Sequence, residues 1–150
     1  MVQPQRAPAG PIPRILEAWI EDAKGAAATT FRRGETLVLQ GLAYEPDDRP
    51  PVLLFGVVRA DGSPVYGSHS NDAGFAPARV APREFGFSVR FDALALLPGK
   101  YRLRVHALDA EGLRMCDTLE AEFVVTGETR DYGLVELTHA WLPGRGRDGV

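Results

Sequence analysis

Cysteine is almost missing from this chain of 150 residues: Cys116 is the only one. No disulfide can therefore close within the chain, and no multi-cysteine zinc site can be assembled. A single thiol fits a reducing compartment. An excess of positive charge is missing too. The chain has 17 Lys and Arg against 20 Asp and Glu, a net charge of -3, where a nucleic-acid binder carries a basic stripe. The pair Arg32-Arg33 is diluted by Glu35 close by. No run approaches the roughly 18 apolar residues that span a bilayer, and Met1–Pro13 lacks the apolar stretch of a secretory signal. No window of about a dozen residues carries a helical apolar stripe. These absences lead us to expect a cytoplasmic protein with no nucleic-acid partner and no direct membrane insertion.

What is present is turn chemistry and alternation. The 16 Gly and 12 Pro are spread between short β-rich runs. Period-2 patterning is clearest in EFGFSVRFD, with Phe85, Phe87, Val89 and Phe91 on one face, and in KYRLRVHAL. In the second, Tyr101, Leu103, Val105 and Ala107 are expected inward and Arg102, Arg104 and His106 outward. Further runs are ILEAWIED, whose alternation is only half clean, ETLVLQGLAY, VLLFGVVRA, PVYGSHS, LEAEFVV and GLVELTHAW. Asp61-Gly62 joins two of them as a hairpin turn. About eight or nine strands at this spacing define an all-β protein, an immunoglobulin-like antiparallel β-sandwich. We divide the chain into a Pro-rich linker or tail at 1–14, one sandwich domain at 15–142, and a flexible tail at 143–150. The Ser70–Arg83 loop is long and polar enough to be functional.

Catalytic constellations are not evident. Ser68 and Ser70 flank His69, but neighbours on a strand point to opposite faces and cannot pair as nucleophile and base. His69, His106 and His139 lack metal-ligand spacing, so no metal and no cofactor is expected. Cys116 reads as a small apolar residue. Glu17, Glu21, Asp109, Glu120 and Glu122 show no spacing that marks an acid pair for glycoside hydrolysis. Gly144–Gly149 satisfies G-x-G-x-x-G without the following helix a dinucleotide needs. No G-x-x-x-x-G-K-[ST] phosphate loop occurs, so we expect no enzyme activity in this chain.

The strings FRRGETLVLQ, FGVVRADGSPVYGSHSND, LLPGKYRLRVHALDAEG and GLVELTHAW, in that order, are similar to the C-terminal domain of the Wzt-type ATPase subunit of O-antigen polysaccharide ABC transporters. The resemblance runs from Ile15 to Trp141. It implies a carbohydrate-binding sandwich that recognises the finished, often capped, end of a lipid-linked polysaccharide. It also implies a location at the inner-membrane face, with a nucleotide-binding domain and a transporter permease as partners and Met1–Pro13 as the tether. A homodimer that exchanges the segment 133–141 about a hinge at 127–132 is implied as well. The glycan site carries over as a region: the exposed face of the Val52–Ala60, Pro64–Ser70 and Lys100–Leu108 strands, with the Ser70–Arg83 loop. If Arg59 points outward, alternation places Val57 and Phe55 there too. Candidate contacts are Phe55, Tyr66 and His106, which would stack on sugar, and Arg59, Ser68, Asn71 and Arg104, which would hydrogen-bond hydroxyls or an anionic cap. The competing reading is a purely structural or dimerisation sandwich with no glycan site.

Overall fold

A computed structural model describes residues 10–147. Nine strands follow one another, with no α-helix among the described residues: β1 (Arg14–Glu21), β2 (Thr30–Arg32), β3 (Leu37–Tyr44), β4 (Val52–Arg59), β5 (Pro64–His69), β6 (Ala78–Ala81), β7 (Glu84–Phe91), β8 (Gly99–Leu108) and β9 (Met115–Thr126). They form two sheets, ordered β1-β3-β7-β6 and β2-β9-β8-β4-β5. Every named pairing is antiparallel except the short β2–β9 contact. This is the expected all-β sandwich.

The inner faces follow the alternation. Tyr101, Leu103, Val105 and Ala107 of β8 are buried against Leu119, Ala121, Phe123 and Val125 of β9 and Ile15, Ala18 and Ile20 of β1. Phe123 stacks on Tyr101 and meets Phe31 edge-on, the ring geometries that the aromatic quadrupole favours. Tyr101 donates its hydroxyl to the Leu97 carbonyl at 2.5 Å, so its polar end is satisfied in the core. Burial holds that phenol above its ordinary pKa. The half-clean pattern of β1 has a local cause. Its register against β3 shifts between Ile15 and Glu17, so Ile15 and Leu16 are both buried, as an extra residue in a strand allows.

The structure departs from the expected elements in four places. Thr30–Arg32 and Ala78–Ala81 are strands that alternation is too short to reveal. The Ser70–Arg83 loop is thus a turn followed by β6. The runs ending at Met115 and starting at Leu119 are one strand of 12 residues. The segment 133–141 is not a strand: Val135 alone bridges Leu96, and only two backbone bonds, Leu97 N–H to Leu134 and Glu136 N–H to Ala95, tie it down. A strand needs a partner along its length, and beyond Glu136 none is supplied.

The linker and tail expectations fall outside the described residues for 1–9 and 148–150. The β6–β7 end is fastened by Asp48, whose carboxylate accepts the Arg83 N–H at 2.8 Å and pairs with Arg79 at 2.7 Å. No helix of the described residues is long and apolar enough to cross a membrane.

Candidate functional site: the open edge of the sandwich

Phe55 of β4 lies opposite Val105 of β8 on one side and Ser68 of β5 on the other. Directly opposed residues share a face, and Val105 is buried. Phe55 and Ser68 therefore point between the sheets. Val57, opposite Leu103 and Tyr66, is buried for the same reason. The outward placing of Phe55 and Val57 is thus corrected, and Tyr66 and Ser68 turn inward with them. Arg104 and His106, opposite Gly56 and Leu54, lie on the outer face as expected. Arg59 sits at the end of β4 across from Tyr101, beside the Asp61 carboxyl, which the Ser63 N–H holds below its usual range. Asn71 lies by the turn after β8, with its side-chain nitrogen 3.1 Å from where a Cβ on Gly112 would be.

Sheet separation leaves two cavities along β5 and β7. The first, about 260 Å³, is walled by Leu53, Phe55, Phe75, Phe87, Val89 and Val105, and Ser68 and Ser70 border it. The second, about 390 Å³, is walled by Val57, Val65, Tyr66, Phe91 and Leu103 and crossed by Val135 and Leu137. Phe55 and Phe91, in edge-on contact at 5.4 Å, mark the division between them. Tyr66 stands at the rim, 62% exposed, its ring 6.1 Å from that of Phe55.

Over the edge strand, the outer face has a trough of about 320 Å³ in which Gly56 and Gly67 oppose each other, beside Arg104 and His106. A Cβ on Gly56 would meet nothing nearer than 3.8 Å, so the floor is open backbone. Arg104 is paired with Glu120. His106 shares a hydrogen bond with the Thr118 hydroxyl at 2.7 Å. Burial, then the Arg104 charge, lowers its pKa against the opposing pull of Glu120, which favours the neutral ring.

The cavity wall includes residues that were not among the candidate contacts: Phe75, Phe87 and Val89. Phe75 carried a signal, as the one aromatic in a polar loop. The hydrogen bond from its N–H to Ser70 at 2.9 Å fixes it in place. The outer face of the opposite sheet holds a shallow concavity with Trp19, whose indole N–H is bound to Glu21 at 2.8 Å; Phe75 and Phe87 also border it. Cys116 is half-buried, and burial followed by Asp109 raises its thiol pKa, the reverse of an activated thiolate. No cluster of His, Cys, Asp or Glu with metal-binding geometry occurs among the described residues.

An immunoglobulin-like sandwich with an opened edge is the class that this architecture defines. Within it, the chain belongs to the Wzt C-terminal domain family, whose model matches residues 13–137. A solved structure described as the crystal structure of the C-terminal domain of wzt superposes with a TM-score of 0.65 at 16% identity, over 95% of this chain and 93% of that one. The soluble domain of PmoD from Methylocystis sp. ATCC 49242 (Rockwell) reaches a TM-score of only 0.40 at 14% identity, over 73% of this chain and 89% of that one. A comparison with curated proteins returns no match.

Proposed function

We propose that this domain is a non-catalytic carbohydrate-binding module that recognises the terminus of a lipid-linked O-antigen polysaccharide for export by an ABC transporter. Family membership supports the transporter setting. The observation that carries the reading is the arrangement around β5: an aromatic cavity with a hydroxyl rim on one side, a backbone-floored trough beside Arg104 and His106 on the other, and an exposed tyrosine between them. Sugars need such a mixture, a flat apolar surface for C–H groups and donors and acceptors for hydroxyls. The terminus would enter beside Phe55 and Ser68. The chain behind it would pass Tyr66, cross the edge at Gly67 and lie beside Arg104 and His106. Arg59 and Asn71 lie apart from this path. In the same proposal the domain sits in the cytoplasm at the inner-membrane face, tethered to a nucleotide-binding domain that acts with a permease, and dimerises by exchanging 133–141.

The test is calorimetric titration of the full chain with O-polysaccharide from the producing strain. Binding is expected, with loss of at least tenfold in Tyr66→Ala and Arg104→Ala variants that keep the wild-type melting temperature. A blank titration, with a blank glycan array beside it, sinks the proposal. That outcome favours the purely structural or dimerisation module. Loss of binding in Trp19→Ala alone would move the site to the opposite sheet.

A further inference from the structure

The first cavity restricts which terminus can occupy it. Its volume, about 260 Å³, falls below the roughly 300–1,000 Å³ of sites for drug-sized ligands. It ends on Leu53 and Val105, both buried core residues. A cavity of this size, backed by core residues, suits the end of a polymer better than its middle.

Charge narrows the ligand further. The one arginine in the wall, Arg90, is paired with Asp92 and largely exposed, and His69, which also borders the cavity, lies opposite Leu54 with the outer-face residues. Arg104 is paired with Glu120 and lies on the other face of the sheet. An anionic substituent entering between Phe55, Phe75 and Phe87 would lose its hydration without gaining an uncommitted cation, which is strongly unfavourable. A methyl or acetyl group there would instead meet apolar walls. Ser68 and Ser70 at the rim suit ring hydroxyls. Ser70 already accepts the Leu53 N–H through its Oγ at 2.9 Å, which leaves its proton to donate.

We infer that this cavity selects a glycan terminus carrying an uncharged, apolar substituent (a deoxy methyl, an O-methyl or an O-acetyl group) and rejects one carrying phosphate or carboxylate. This rests on the carbohydrate-binding reading and adds the chemical class of the end group. It runs against the anionic cap that the arginine content suggested.

The test uses the full chain and a set of reducing hexoses that differ only in one group: unsubstituted, 6-deoxy, O-methyl, O-acetyl or O-phosphate. Saturation-transfer NMR and competition against the bound polysaccharide give the affinities. Each buried methyl is expected to tighten binding about fourfold, with transfer strongest at the methyl protons. Phe75→Ala should abolish that preference. Ala73→Leu, which narrows the cavity from an exposed loop position, should exclude the substituted sugars while leaving the fold intact. Tighter binding of the phosphate, or equal binding of all five, overturns the inference even if the polysaccharide itself binds. If the polysaccharide does not bind at all, the carbohydrate reading fails and this inference falls with it.

Discussion

At the scale of single residues, two positions show how closely this sandwich is fitted. Gly41 lies opposite Phe87 on the inner face, and a Cβ on it would sit 2.0 Å from the Phe87 ring tip. The ring occupies the space a side chain would need, so Gly41→Ala forces it toward the cavity it borders. Overpacking of this kind costs about 1–3 kcal/mol. Chemical denaturation should show that loss, and Phe87→Leu in the same chain should recover part of it. A Gly41→Ala variant of unchanged stability would mean that the ring relocates freely. His106 gives a pH dependence. Its folded pKa is lowered, chiefly by burial, so the unfolded chain binds the proton more readily. The stability it contributes is therefore present above the unfolded value, about 6.5, and is lost as pH falls through the lower folded value. Melting temperature should fall more steeply with acid in the wild type than in His106→Asn. Identical slopes would remove the assignment.

At the scale of elements, the hairpin shows what alternation can and cannot reveal. Counting outward from Asp61-Gly62 reaches the pairs Gly56–Gly67 and Phe55–Ser68, because the register shift between Val57 and Val58 offsets the longer turn. Which residues share a face was thus legible. Which face is inside was not. β4 is apolar on both sides, with Leu53, Phe55 and Val57 on one and Leu54 and Val58 on the other, so its own pattern is nearly symmetric. The decision comes from β8, where arginines alternate with core residues and only one orientation can be buried. Had the faces of β4 been read from its partner rather than from Arg59, Phe55 would have been placed in the cleft. β8 and β7 themselves were read correctly because charge or serine opposes an apolar face. The strands β2 and β6, of 3 and 4 residues, are made by their neighbours' edges. The aromatic cavity was likewise hidden, since it arises from the spacing of two sheets and no single strand encodes that distance.

At the scale of the whole molecule, the segment after β9 is out of keeping with the rest. Leu137 is 74% and Trp141 94% exposed, and Leu142 is exposed beside them. Contiguous exposed apolar residues mark an interaction site more often than a free tail. The departure of this segment is held by Arg33, which binds both Glu136 carboxylate oxygens at 2.8 and 3.0 Å and lies 3.6 Å from Asp131. Its backbone beyond Glu136 has no partner in the sheets, while its first apolar residues already cover the second cavity. A strand exchanged between two copies would satisfy both conditions at little cost in contacts, since an identical element can complete either protomer. Light scattering on the full chain should then give a dimer, and a chain ending at Tyr132 should give a monomer that still folds, because the core lies within β1–β9. Arg33→Ala should shift the balance between the two forms, and added salt should mimic it, since the pair is partly exposed and screened. A full chain that scatters as a monomer at every concentration would rule the exchange out. A truncated chain that remains a dimer would place the interface elsewhere on the sandwich and leave Trp141 exposed with no partner to explain it.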